Sequence, residues 1–268
     1  MTAGPAARRH PLRVRPRSAR RAWRALCLGL ALAGPSALAA EDRIVSARYS
    51  EPTTRYGHAV LGDDVEYGAL ELSVDNNGAG CCSANAVYQK SDILIRLPLD
   101  HVFEDIAPRL ADVTGDGSPE VLVVETDVAQ GAQLAIYGAH GEKLAETPHI
   151  GTRNRWLAPI GAADLDGDGY VEIAYVDRPH LAKTLRIWRF RDGALHEVGS
   201  KPGLTNHRIG EDFITSGLRE CGEGVELVMV SGGWRRIMAA RLQGGEITTR
   251  DIGPFDPDTR LAVALACR

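Results

Sequence analysis

Two stretches of this chain repeat one another closely enough to restrict the fold that can contain them. Ala111-Asp112-Val113-Thr114-Gly115-Asp116-Gly117-Ser118-Pro119-Glu120 is followed by VLVVE. Ala163-Asp164-Leu165-Asp166-Gly167-Asp168-Gly169-Tyr170-Val171-Glu172 is followed by IAYVD, at an offset of 52 residues. Each copy has an apolar lead-in, a D-x-(D/T)-G-D-G-x-x-E loop and a β-branched strand. A second strand follows (LAIYG or TLRIWRF), then a glycine-containing hairpin at Gly138 to Gly141 or Arg191-Asp192-Gly193. A period of this size marks a repeat architecture, in which neighbouring units bury apolar faces that none could bury alone.

Fainter copies flank the pair. Upstream, Gly62-Asp63-Asp64-Val65-Glu66-Tyr67-Gly68-Ala69-Leu70-Glu71-Leu72 aligns with Asp63 at position 1 and Glu71 at position 9. Downstream, Glu226 precedes the run LVMVS. Units are expected over about 55–100, 101–150, 151–203 and 204–252. The apolar runs are short, rich in Val, Ile and Leu, and bounded by Gly, Asp and Pro, and no long stripe has helical period. This is strand patterning. The expected fold class is all-β: a small β-propeller of four blades, or five if the chain ends assemble another. The segments 41–50 and 259–267 both read as strands and are expected to pair in one blade, which would close the ring and hide its edges. A β-sandwich or an open array fits the loop placement less well.

The loops have their own chemistry. Calcium takes six to eight hard oxygen ligands, and carboxylates at alternate positions of a tight loop can surround one ion. In the second copy the ligands would be Asp164, Asp166, Asp168, the Tyr170 carbonyl and Glu172. In the first they would be Asp112, the Thr114 hydroxyl, Asp116, the Ser118 carbonyl and Glu120. Gly117 and Gly169 would permit the positive-φ bend that returns the chain around the ion. Clustered carboxylates repel without a cation, so two structural Ca²⁺ ions are expected, the 112–120 site weaker because Thr114 is neutral. The degenerate units lack the ligand spacing and are expected to hold none.

These loops and their strands resemble the FG-GAP or VCBS repeats of integrin alpha-subunit propellers and of many bacterial exported proteins. The resemblance is specific over about 105–190 and faint over 55–100 and 205–250. It implies a propeller whose calcium ions lie between the first and second strands of a blade, held here by Asp112, Thr114, Asp116, Ser118 and Glu120, and by Asp164, Asp166, Asp168, Tyr170 and Glu172. The family spans adhesion, ligand binding and carbohydrate-linked modules, so it implies no single activity.

Residues 1–39 read as a secretory signal peptide: a basic stretch, the short apolar run ALCLGLALAGPSAL, then Ala37-Leu38-Ala39 as a cleavage pattern. The apolar run is too short to span a bilayer. A periplasmic or secreted protein is expected, with no transmembrane anchor after cleavage. The formal charge of -4 conceals an acidic body. Eight arginines lie in 1–39 and no acid does, leaving 23 basic against 35 acidic residues. With no polybasic patch, nucleic acid is not an expected partner. Cys81, Cys82, Cys221 and Cys267 remain for disulfides in an oxidising compartment; the pairing is open, with Cys221–Cys267 preferred because it would tie down the C-terminal segment.

No nucleophile elbow, H-E-x-x-H, phosphate loop or Cys-x-x-Cys is present, and the histidines are scattered. Polar groups recur ahead of each lead-in strand: Thr54-Arg55, His101, Arg153-Asn154-Arg155 and Asn206-His207-Arg208. Aromatics Tyr56, Phe103 and Trp156 accompany three of them. These read as packing between units, or as a recognition face at one end of the assembly. The expected function is an exported, calcium-binding, non-enzymatic binding or scaffold module for an unidentified envelope protein or glycan. The alternative is an exported hydrolase or lyase acting on polysaccharide or phosphoester, which would need a carboxylate pair or a His–carboxylate pair not already used by calcium.

Overall fold

The computed structural model describes residues 1, 42–76, 89–257 and 260–267. The chain divides into two compact units, Met1–Leu38 and Ala39–Arg268. All of the structure below belongs to the second. The expected signal peptide, and Cys81 and Cys82, lie outside the described residues apart from Met1.

The described chain is almost entirely β, in three antiparallel sheets. The first contains β1 (Arg43–Thr53), β2 (Glu66–Asn76), β3 (Gln89–Arg96), β4 (His101–Phe103), β5 (Arg109–Ala111), β6 (Glu120–Asp127), β7 (Gly131–Tyr137) and β8 (Lys143–Glu146). Its path runs β1-β2-β4-β6-β7-β8, with β3 on β2 and β5 on β6. The second is a meander of β9 (Leu157–Ala163), β10 (Glu172–Asp177), β11 (Thr184–Arg191) and β12 (Ala194–Pro202). The third holds β13 (Leu204–Thr205), β14 (Gly217–Glu220), β15 (Val225–Ser231), β16 (Arg236–Gln243) and β17 (Glu246–Pro254). Its path is β13-β15-β16-β17, with β14 on β15.

The strands that follow the loops, β6, β10 and β15, are buried along nearly their whole length. Continuous apolar runs such as VLVV and LVMV are what a strand covered on both faces requires. Strands β12 and β17 at the sheet edges are largely exposed and polar. Asp192-Gly193 joins β11 to β12 with both residues at positive φ, and Gly244-Gly245 does the same between β16 and β17. That geometry matches the right-handed strand twist of a two-residue hairpin. The core lies between sheets: Leu122, Val124, Leu134 and Ile136 of the first meet Trp156, Leu157, Ile173 and Tyr175 of the second. Val176, Leu185 and Ile187 then meet Leu227, Met229 and Leu242 of the third. The first and third sheets touch through loops, where the Gly210 N–H donates to the Val60 carbonyl at 3.0 Å.

Three expectations change. Residues 260–265 form an α-helix, α1 (Arg260–Leu265), instead of a closing strand. Leu261, Ala264 and Leu265 share one helical face and pack with Val228, Ile237, Ile252 and Phe255. Helix-favouring Ala and Leu at that spacing prevail over the strand reading of TRLAVALAC. The other end is a strand, but β1 pairs with β2 (Tyr49↔Leu70), so the two ends do not share a ladder. Lastly, Glu66, not Glu71, opens the strand of the first unit. It sits opposite Thr53 as Glu172 sits opposite Ala163. Its carboxylate accepts the N–H groups of Gly57 and His58 at 3.3 and 3.1 Å. Glu71 lies in mid-strand, paired with Arg48 near the surface.

Cys221 and Cys267 form the preferred disulfide, Cα atoms 5.7 Å apart, and pin α1 to the third sheet. Closing this 46-residue separation removes about 4 kcal/mol of unfolded-chain entropy in the loop-closure account.

Candidate functional site

Both repeat loops are organised by their first aspartate. Asp112 accepts the N–H groups of Gly115 and Gly117 at 2.7 and 2.9 Å. Asp164 accepts those of Gly167 and Gly169 at the same two distances. All four glycines have φ between 78° and 93°, a conformation that side chains with a Cβ rarely adopt. The third carboxylate closes the turn behind: Asp116 accepts the Ser118 N–H at 2.7 Å and Asp168 the Tyr170 N–H at 3.0 Å. The ninth residue turns back under the loop. Glu120 accepts the Val113 N–H and Glu172 the Leu165 N–H, each at 2.8 Å.

The loops differ in what faces their carboxylates. Arg189 of β11 stands opposite Glu172 in the ladder. It reaches Glu172 at 2.5 Å, Asp166 at 2.7 Å and Asp168 at 2.8 Å. In the first loop the pair Val121↔Tyr137 puts Gly138 at the corresponding place opposite Glu120. Among the described residues no basic side chain forms an ion pair with Asp112, Asp116 or Glu120. Thr114, Asp116, Ser118, Glu120, Gly138 and Glu142 instead line an open cavity of about 500 Å³. In the fourth unit Glu226 is held by Arg219, Arg241 and Arg250, at 2.7, 2.9 and 2.9 Å. Burial pushes the Glu120 and Glu172 carboxyls above the ordinary carboxylate range, against their N–H partners. Burial works the same way at Glu226, but the arginines outweigh it and hold that carboxyl low.

One ligand oxygen each from Asp164, Asp166 and Glu172 lies within 4.8 Å of the other two. Asp166 Oδ1 is buried with no hydrogen-bond partner. A buried carboxylate oxygen without a partner is costly, and a hard cation among these oxygens would satisfy it. This donor set therefore fits calcium, with Arg189 as a competing positive group. In the 112–120 loop Thr114 replaces the middle carboxylate and donates its hydroxyl to Glu120 at 3.2 Å.

The recurring polar and aromatic residues lie mainly between units. Trp156 donates its indole N–H to the Glu104 carbonyl at 2.7 Å, and Asn206 donates to the Ala158 carbonyl at 3.1 Å. Tyr56 accepts the Asn154 N–H at 2.7 Å, while Phe103 is fully buried. Arg55 bonds the His101 carbonyl at 3.0 Å, and Arg208 stacks over Trp234 at 4.0 Å. A small recess of about 30 Å³ remains between His58, Asn154, Arg155, Trp156, Arg178 and His180. His180 and His207 are in contact at 3.0 Å. Burial and the neighbouring histidines hold His180 down to about 4, so it is neutral at pH 7.

The structure brings together groups that no sequence spacing announces. His58 Nδ1 lies 2.5 Å from Glu104 Oε1, and the other Glu104 oxygen accepts the Thr126 hydroxyl at 2.8 Å. A wider cleft of about 200 Å³ is lined by His149, Tyr175, Asp177, Arg178, Arg186 and Trp188. None of these residues belongs to the polar runs that the sequence places ahead of each unit, so the cleft had no signal there.

No curated protein matches this chain. Among solved structures it is similar to the exotype rhamnogalacturonan lyase YesX (TM-score 0.38, 16% identity, covering 68% of this chain and 40% of that one). It is also similar to the Bacillus licheniformis rhamnogalacturonan lyase PL11 (TM-score 0.38, 15% identity, 74% and 44%). The chain spans under half the length of either. Among the described residues no helix is long and apolar enough to cross a membrane. Residues 112–175, from the first aspartate of one loop through the second loop and into β10, match the family of FG-GAP-like repeats.

Proposed function

We propose that this protein is an exported, calcium-stabilised binding module of propeller-like build, without catalytic activity of its own. The observation that carries this reading is the twin loop. Adjacent sheets present the same aspartate–glycine cradle at the same place, and one cradle contains a buried oxygen with no partner. Calcium at these loops would hold the strand entries of β6 and β10 and leave the clefts at the rims of the sheets open for recognition. The cleft with Tyr175, Trp188, Arg178, Arg186 and Asp177 offers aromatic surface beside paired charges, a combination suited to a glycan or a polar protein loop. The N-terminal signal pattern and the Cys221–Cys267 bridge support an oxidising, extracytoplasmic location. The test is thermal unfolding of the chain lacking residues 1–39, in calcium and in chelator. Calcium is expected to raise Tm by mass action, about 2.7 kcal/mol at a hundredfold excess over Kd. Identical melting in both conditions sinks the calcium reading.

A second reading, an exported hydrolase or lyase acting on polysaccharide or phosphoester, is favoured by the His58–Glu104 contact. A buried carboxylate on one ring nitrogen orients the imidazole and leaves the other nitrogen for proton transfer. Turnover of a polysaccharide or phosphoester panel that is lost in His58→Ala would select this reading over the first.

A further inference from the structure

We propose a further metal site, distinct from the two calcium loops and for a zinc-class divalent ion, formed by His101, Asp127 and His149. One ligand atom from each lies within 4.8 Å of the other two, and all three side chains are partly exposed. His101 opens β4 and Asp127 ends β6, directly opposite each other in the ladder. His149 arrives from the segment after β8. That segment is tied down by hydrogen bonds from Thr147, Ile150 and Gly151 N–H to the carbonyls of Leu134, Ala132 and Gln130. All three ligands thus rise from hydrogen-bonded backbone, so the ordering cost of binding is small.

The outer contacts aim the ligands. His101 Nδ1 contacts Asp100 Oδ1 at 2.9 Å, which leaves Nε2 facing Asp127 Oδ2 at 3.7 Å. His149 Nδ1 donates to the Gly131 carbonyl at 2.8 Å, which fixes the tautomer with a lone pair on Nε2. Asp127 Oδ1 accepts the Ala129 and Gln130 N–H groups at 2.7 and 2.9 Å, while Oδ2 accepts only a long contact from the Gln130 side-chain amide at 3.5 Å, which a metal would displace. An imidazole whose second nitrogen is held by a carboxylate or carbonyl is the usual arrangement of a metal-bound histidine. Behind the set, Glu125 Oε1 lies 4.0 Å from His101 Nε2. It is already bonded to Lys143 at 2.8 Å, and its partner oxygen to Tyr137 at 2.7 Å, so it adds negative potential and not a ligand.

Two imidazoles and one carboxylate are borderline donors that suit zinc and its first-row neighbours, whereas calcium prefers oxygen throughout. Tetrahedral zinc with bonds of about 2.0–2.2 Å needs ligand atoms about 3.3–3.6 Å apart. The His101–Asp127 separation is close to that, and rotation of the imidazoles closes the remainder. Three protein ligands leave a fourth position for water or an exogenous ligand, and His149 also lines the cleft beside Tyr175 and Trp188.

The experiment is titration of the chelator-stripped full chain with Zn²⁺ alone, read by competition with a chromophoric chelator, and with Co²⁺, read by visible absorption. One ion per chain is expected, with the intense bands of nitrogen-ligated tetrahedral Co²⁺, unaffected by millimolar Ca²⁺. Binding should weaken on acidification, because protons compete with the metal for the ligand nitrogens. His149→Ala and His101→Ala should each weaken Zn²⁺ at least tenfold, while loss of the exposed His140 and His196 changes nothing. Zn²⁺ binding that survives both site substitutions, follows His140 or His196, or is displaced by Ca²⁺ overturns the site. Should the alanine variants fail to fold, an octahedral or absent Co²⁺ spectrum in the wild type overturns it as well.

Discussion

In the loop at 112–120, Gly138 faces the carboxylates across the ladder and the cavity beside them is open. In the loop at 164–172 the same place belongs to Arg189, whose guanidinium touches three of them. The backbone hardly differs: the first aspartate caps two glycine N–H groups at 2.7 and 2.9 Å in both. Glu226 extends the series. Arg241 lies opposite it, one step beyond the Leu227↔Ala240 pair, and Arg219 and Arg250 add to it. A buried carboxylate at a strand entry must be neutralised. This chain does so with three guanidinium groups in the fourth unit and, in the third, with one guanidinium that Glu172 shares with Asp166 and Asp168. In the second unit, among the described residues, only backbone N–H groups and the Thr114 hydroxyl meet Glu120. Counting carboxylates ranks 164–172 as the tighter calcium loop. Arg189 works against that ranking, because an ion must displace or share its partners.

This contrast can be broken experimentally. Glu226→Gln strands three arginines at a 1% exposed carboxylate; it should cost about 3–5 kcal/mol, measured by urea denaturation and indifferent to calcium. Arg189→Met in chelator leaves Asp166, Asp168 and Glu172 without a positive partner and should cost about 2–3 kcal/mol, less because Asp168 is exposed. Calcium should recover most of that loss and bind more tightly than to wild type; failure of calcium to recover it would mean the loop does not take the ion. Asp112→Asn removes one charge from the loop that has no arginine and should reduce calcium-induced stabilisation by about 1–2 kcal/mol, with little change in chelator. An equal loss in chelator would assign Asp112 to the turn alone.

A smaller effect must be separated from these. The neutral state of His180 is favoured in the folded chain, with its pKa held down to about 4. His207 shifts the same way, burial leading. A depressed histidine contributes stability that is complete above its unfolded value near 6.5 and is lost as pH falls from there towards about 4. At this half-buried ring the loss is on the order of 1–2 kcal/mol after solvent screening. Melting curves of wild type and His180→Gln between pH 7 and pH 4 should converge as pH falls. Parallel curves would show that the pair does not titrate with unfolding.

Much of the architecture was legible in the chain itself. The D-x-(D/T)-G-D-G-x-x-E loops placed the positive-φ glycines Gly117 and Gly169, two first-position aspartates and two strand starts, because tight turns and strand entries depend on neighbours within ten residues; Gly115 and Gly167 take the same conformation in the structure. The continuous runs VLVV and IAYV announced strands, and the structure covers both faces of them. The first unit was harder. Asp63 and Glu71 mimic the loop spacing, yet the acid that caps its own loop is Glu66, since a strand's start is set by its ladder with β1. The C-terminal segment was misread because six residues of Ala, Leu and Val satisfy either period. The disulfide and the apolar face of Leu261, Ala264 and Leu265 choose the helix.

By itself, then, the sequence determined what depends on short range: the repeat, the all-β character and the loop cradles. Only the tertiary structure decided which groups answer the buried charges. Arg189 is 17 residues from Glu172, and His101, Asp127 and His149 are spread over nearly fifty residues. Those distances vanish only when strands pair and sheets stack. Electrostatic energies depend on separation in space and on burial, and neither can be read from separation along the chain.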